Sequence, residues 1–365
     1  MALRPSVQQV LNTLQEEGHL GPDAVEPART ALEAHQRKST AVPWFVRAFS
    51  GLGAWMAAVF VVSFFACTGI LENKAVMGVL GLFLCGGATF LRREVHGVFV
   101  EQLALALCLA GAWMMVASIG IDAESEVTTA FAGLTISAVL LAIYPDAVLR
   151  FLSTGGIIAS ASVLAYKAAG GYGVDLLLLG SAVLMHVLIV EQVRLRQLSR
   201  GDWVGPVAFS LAFIVPAALL VRGTRGLSDA GFEISSGMPN SVLTLGLTAL
   251  TLYTVWRVLQ ELRITPTGVA GAAVFAALAL LAVLTPHTPA VIAAVGMLVL
   301  GFHRRSSVLL GLAVTFLLAA GSYYYYDLGL TLLAKSLALM GGGLVFLGLR
   351  SFLLRRFPAP ATEVR

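Results

Sequence analysis

Twelve apolar stretches, each close to the length of a bilayer crossing, leave this chain few folds. They fall at about 49-70, 75-91, 98-120, 127-144, 149-167, 174-192, 204-221, 241-259, 267-285, 289-302, 307-325 and 329-349. A transmembrane helix needs about 17–25 such residues. Backbone polar groups inside lipid must be satisfied within the segment, so the runs read as helices. Composition agrees: 58% of the 365 residues are AVILMFWYC and 12% are charged, against roughly 45–50% and 25% in soluble domains. One anchor would be diluted by the rest and could not produce a mean hydropathy of +0.86. The fold class is therefore all-α, a polytopic membrane bundle of about twelve helices, and soluble enzyme classes fall away. The 289-302 run is short, so it is expected either to be re-entrant or to extend back through Pro286, and the count is open by one or two.

Orientation follows from Lys and Arg. Arg92, Arg93, Arg150, Arg194, Arg196, Arg200, Arg263, Arg304, Arg305, Arg350, Arg355 and Arg356 fall on alternate loops, in step with the N-terminal segment. By the positive-inside rule those loops, and both termini, are cytoplasmic. The opposite loops hold only Lys74, Lys167, Arg222 and Arg225. The formal charge of +4 is this bias rather than a sign of nucleic acid as a partner. Three parts are expected: a cytoplasmic helical hairpin at 1-46, a transmembrane domain at 47-357 and a short cytoplasmic tail at 358-365. The hairpin has too few apolar positions for its own core and is expected to dock on the membrane domain, a partner or the bilayer surface. Met1 to Lys38 is polar and amphipathic rather than leader-like, so the first apolar run is expected to be an uncleaved span.

Chemistry-bearing patterns are sparse. Cys67, Cys85 and Cys108 each sit in an apolar run and behave as small hydrophobes. No metal-ligand spacing, phosphate loop or hydrolase motif is present, so the sequence supplies no catalytic set, no metal site and no cofactor. Gly81, Gly86, Gly87, Gly155, Gly156 and Gly341–Gly343 are expected to let helix backbones approach. Pro216, mid-run, is expected to kink its helix. The 222-240 loop reads as a connector or a lid.

Ionisable residues inside spans are the functional pointers, since one charge at the helix centre costs roughly 2.5–3.5 kcal/mol on insertion scales. Lys335 follows Asp327 by eight residues, about 12 Å along a helix, and needs an acceptor or a wet cavity. Ser336 flanks it, and Tyr325 and Tyr326 supply hydroxyls at the interface. Glu101 lies just inside the third run and Glu191 closes the sixth; both suit ion pairs with loop arginines or a cytoplasmic vestibule. His186 reads as a proton relay or as a hydrogen-bonded core histidine. Arg257 and Glu261, spaced i,i+4, are expected to pair along one helix face.

The segment from Tyr323 to Gly343, with Leu332-Leu333-Ala334-Lys335-Ser336 at its centre, resembles the C-terminal signature of the membrane family called domain of unknown function 4401. There a tyrosine-rich helix end leads into an LLxKS-like element and a glycine-bearing last span. The first 46 residues, with Leu14, Gly18 and Leu20, look like the cytosolic start of domain of unknown function 2157. The resemblance implies a bacterial inner-membrane protein and a companion, a small membrane-anchored protein of the GDYxxLxY type. It implies no activity.

Two main readings result. One is transport of a small solute or a proton along a path lined by Lys335, Asp327, Tyr325, Tyr326, Ser336, His186 and Glu101. The alternative is a non-catalytic scaffold or assembly subunit that binds the small partner. An intramembrane enzyme acting on a lipid-linked substrate is the third and least favoured.

Overall fold

The computed structural model describes residues 7–17, 21, 24, 26–30, 44–95, 97–144, 146–198, 203–223, 237–261 and 268–327, with ten positions between 333 and 351. Of these residues 91% are helical and none is in a strand, so the all-helical class holds. Eight helices are long and apolar enough to cross a membrane, and Gly271–Leu284 and Pro289–His303 are shorter apolar helices. The chain divides into two compact units, Met1–Met115 and Val116–Arg365. That division falls inside a helix, where hydropathy carries no mark of it.

Unit 1 contains α1 (Val7–Glu16), α2 (Trp44–Cys67), α3 (Lys74–Glu94) and the first part of α4 (Val98–Ala123). Of the N-terminal hairpin, α1 is present and residues 26–30 are helical; residues 31–43 lie outside the described set. The turn into α3 has a local cause. Gly69 takes φ 71°, a left-handed conformation that suits glycine, and the Asn73 side chain accepts from the Val76 N–H at 3.3 Å, capping the helix. Helices α3 and α4 then cross at two glycines. A Cβ on Gly81 would lie 2.6 Å from the Gly111 carbonyl oxygen, and one on Gly111 would lie 2.5 Å from the Gly81 carbonyl. The expected close approach is real at Gly81, whereas Gly86 and Gly87 face open space. Beside this crossing the Cys85 thiol donates to the Cys108 carbonyl at 3.3 Å.

Unit 2 contains the end of α4, then α5 (Glu126–Ile143), α6 (Ala147–Val190), the short α7 (Gln192–Leu198), α8 (Val204–Gly223), α9 (Asn240–Glu261), α10 (Val269–Leu284), α11 (Pro289–His303) and α12 (Ser307–Asp327). A straight α6 of 44 residues would be about 66 Å long, twice the roughly 30 Å hydrocarbon core. It breaks at Ala169 (φ −142°) and Gly170 (φ 60°, ψ −147°), a backbone state open to glycine. The runs at 149-167 and 174-192 are therefore two helices joined there, written α6a and α6b below. Pro216, by contrast, does not divide α8, which continues through it as one helix from Val204 to Gly223. A bundle can accommodate the one backbone hydrogen bond a proline removes.

The core of unit 2 sits where α6b, α8, α11 and α12 meet. Met185, Leu188, Val207, Leu211, Met297 and Phe316 fill one end, and Leu178, Val215, Leu247, Ile292 and Ala320 the other. Helix α11 is the centre: ten of its fifteen residues are buried. This suits the short 289-302 run, since a helix apolar all round belongs in a bundle interior; Phe302, near its end, is exposed. It starts at Pro289 itself, with proline in the first turn, where its missing N–H is not needed.

Candidate functional site

Helix α6b begins just past the break at Gly170, which brings Asp175, 1% exposed, into the interior. A buried carboxylate must be paired and hydrogen-bonded to remain charged. Arg222, in the last turn of α8, meets it with a two-pronged contact: Nε donates to Oδ1 at 2.7 Å and Nη2 to Oδ2 at 2.8 Å. The Met238 backbone N–H donates to the same Oδ2 at 2.7 Å. Arg222 also donates to the Met238 carbonyl at 2.7 Å and, through Nη1, to the Asn240 side-chain oxygen. Asn240 opens α9, and its Nδ2 donates to the His287 carbonyl at 3.2 Å in the turn before α11. One ion pair therefore joins α6b, α8, the start of α9 and the α10–α11 turn. Gly237 is required here, because a Cβ would collide with the Gly171 backbone and Asp175 Oδ2. Next to this network is a cavity of about 430 Å³, lined by Leu219, Arg222, Asn240, His287, Ala320 and Tyr323, among others.

From Asn240 a polar stripe descends one face of α9. Thr244, Thr248, Thr251 and Thr254 are all buried, and each hydroxyl donates to the carbonyl four residues earlier, at 2.6 to 2.9 Å. Spacings of four, three and three residues keep the four on one side of a 3.6-residue helix. Near Thr251, across Gly296 of α11, is His186 of α6b, eleven residues and about three turns beyond Asp175, hence on the same face of its helix. Its Nδ1 lies 2.8 Å from the Ala182 carbonyl, while Nε2 is buried without a hydrogen-bond partner. A Cβ on Gly296 of α11 would lie 2.9 Å from Thr251 Oγ1 and 3.1 Å from His186 Nε2. The three helices α6b, α9 and α11 thus pack closely here, with Thr251 and His186 against the bare backbone of Gly296.

The far end of the seam carries a second set of charges. Arg257 of α9 donates to Glu191, at the end of α6b, at 2.6 Å. Glu261 lies 3.0 Å from His303 Nε2 at the end of α11. The i,i+4 pairing expected for Arg257 and Glu261 is therefore not made: each reaches across to a neighbouring helix, because crossing helices bring opposite charges nearer than one helix face does. Glu191 accordingly pairs with an arginine of a span rather than of a loop. Arg304 donates to the carbonyls of Ile189 and Val190 at 2.7 and 2.8 Å, satisfying acceptors at the end of α6b.

The residues singled out from sequence are distributed unevenly. His186 lies in the seam. Glu101 belongs to unit 1, where Arg92 holds it at 2.7 Å. Tyr325 is half-buried and Tyr326 80% exposed, their rings edge to face at 5.6 Å. Their neighbour Tyr323 lines the cavity, and Tyr324 donates to the Leu284 carbonyl at 3.2 Å. Ser336 is helical and exposed. Lys335 and the side chain of Asp327 lie outside the described residues, as does 224–236 of the 222-240 loop. Asp175, Asn240 and the threonine stripe escaped sequence reading, although an acid near the start of one apolar run and an arginine just past the end of the next were a visible signal. Among the described residues no group of three or more His, Cys, Asp or Glu could hold a metal ion.

No curated protein and no solved structure matches this chain. The family described as domain of unknown function 4401 matches it from residue 43 to residue 356, from just before α2 to beyond the tyrosine-rich end of α12. With so much of its length covered, the chain belongs to that family, DUF4401.

Proposed function

We propose that this is a bacterial inner-membrane protein of about twelve spans with cytoplasmic termini, and that unit 2 carries a small polar solute or a proton across the bilayer. The path is the seam between α6b, α9 and α11. The observation that supports it is the repetition of charge at both ends of one helix pair. Asp175–Arg222 with Asn240 lies at one end and Glu191–Arg257 at the other, with buried hydroxyls and His186 between. Asn240 and Arg257 are seventeen residues apart, about 25 Å along α9, which approaches the roughly 30 Å of a hydrocarbon core. By the positive-inside rule the Arg222 end is outer and the Arg257 end cytoplasmic. Tyr323, in the cavity at the Arg222 end, ties the tyrosine-rich signature to the same mouth.

Cysteine accessibility tests this reading. In a background lacking Cys67, Cys85 and Cys108, single cysteines replace Thr244, Thr248, Thr251 and Thr254 in turn, and membrane-impermeant thiol reagents are applied from either side. Graded labelling of Thr244→Cys from outside and Thr254→Cys from inside is the expected result. Four unreactive positions, with a small membrane protein co-purifying in fixed proportion, would replace transport by the scaffold reading.

A further inference from the structure

The seam offers lone pairs rather than protons. Each of the four threonine hydroxyls has given its hydrogen to a carbonyl of its own helix, so only the acceptor side of each oxygen remains. His186 is in the same position. The Ala182 carbonyl can only accept, so the hydrogen of the neutral ring sits on Nδ1, 2.8 Å away, and Nε2 carries the lone pair. That lone pair is the buried atom without a partner. It and Thr251 Oγ1 both pack against Gly296, close enough that no side chain would fit at that position.

We infer that His186 Nε2 is a proton-binding site partway along the seam, and that the proton is the species the seam carries; the inference rests on the seam being a path. An anion would meet lone pairs only. A transition-metal ion, which seeks nitrogen, thiolate or carboxylate ligands, would find a single imidazole, since among the described residues no group of three or more His, Cys, Asp or Glu forms. A proton needs one lone pair. Its arrival at Nε2 turns the imidazole into imidazolium while Nδ1–H stays on the Ala182 carbonyl. Its departure from Nε2 restores the starting tautomer, with no other bond made or broken.

The ring's immediate surroundings carry no charge. From α8, Val207, Ala208, Leu211 and Ala212 pack into the same cluster as Met185 and Leu188. From α9 the facing residue is Thr251 and from α11 it is Gly296. None of these carries a charge. The charged groups nearest along its own helix, Asp175 and Glu191, are each held by an arginine.

The test uses the full chain in proteoliposomes enclosing a pH-sensitive dye, with proton entry driven by a potassium diffusion potential. Wild type should acidify the lumen. His186→Gln, which removes the titrating ring, and Gly296→Ala, which presses a methyl group against Nε2 and Thr251, should fall to the level of empty liposomes, and Thr251→Val should lie between. Nitrogen NMR of ring-labelled protein in bilayers supplies a readout independent of flux and of whether the variants fold. The Nε2 resonance should move from unprotonated to protonated as pH falls, while Nδ1 stays protonated throughout. An Nε2 that never gains a proton while the protein is folded overturns the proposal. So does proton flux retained in both His186→Gln and Gly296→Ala, which leaves the seam reading intact. A wild type without proton flux but with graded cysteine labelling also overturns it and assigns the seam to another solute. If labelling is absent too, the path itself falls.

Discussion

Asp175 and Arg222 stand 47 residues apart in the chain and are joined by two hydrogen bonds, at 2.7 and 2.8 Å, with the carboxylate side chain 2% exposed and the guanidinium 14%. Such a pair is asymmetric in its energetics. Removing one partner strands a buried charge and costs about 3–5 kcal/mol, whereas replacing both by apolar groups of similar volume is often close to neutral. Asp175→Ala and Arg222→Met should each lower thermal stability in detergent sharply. The double variant Asp175→Leu/Arg222→Met should recover most of the loss. A double-variant loss equal to the sum of the two single losses would show that the pair does not act as a unit.

Gly237→Ala should reproduce much of the single-variant loss without touching a charge, because its Cβ would collide with the Gly171 backbone and Asp175 Oδ2. Overpacking of this kind costs typically about 1–3 kcal/mol. The measurement is the melting temperature of the purified variant; an unchanged value would mean that the 237–240 segment does not need to rest on Asp175.

The two glycines of the α3–α4 crossing differ from their neighbours in a way that stability can read. Gly81→Ala and Gly111→Ala each drive a methyl into the opposite backbone and should destabilise by about 1–3 kcal/mol. Gly86→Ala and Gly87→Ala meet open space and should be neutral or gain up to about 1 kcal/mol, alanine being the better helix former. Similar effects at all four positions would rule out a specific crossing.

A double-mutant cycle separates the two pairings open to Arg257. Coupling between Arg257 and Glu191 should reach about 0.2–1 kcal/mol, the range for partly exposed ion pairs, while Arg257 and Glu261 should couple near zero. The opposite pattern would return the charges to one helix face.

Thiol chemistry gives a rapid check on unit 1. Cys67 is exposed while Cys85 and Cys108 are buried. A membrane-permeant maleimide should therefore add once to the folded protein, at Cys67 by peptide mapping, and three times after denaturation. Modification of Cys85 in the folded state would mean that the crossing at Gly81 and Gly111 opens.

The sequence by itself determined the class of the protein. A run of apolar residues in lipid must satisfy its backbone internally, so hydropathy alone yields helices, and the two runs on either side of Gly170 were separable before any coordinate. It also exposed His186 and Glu101, because an ionisable residue in an apolar run is costly wherever its partner lies. Tertiary structure alone decided the pairings. Arg257 chooses Glu191 over a residue on its own helix, Asp175 waits 47 residues for Arg222, and Gly81 is pressed against Gly111 while Gly86 is free. The difference lies in which helix crosses which, and that is set by the packing of whole helices within each unit, in unit 2 around α11, to which residues far apart in the chain contribute together.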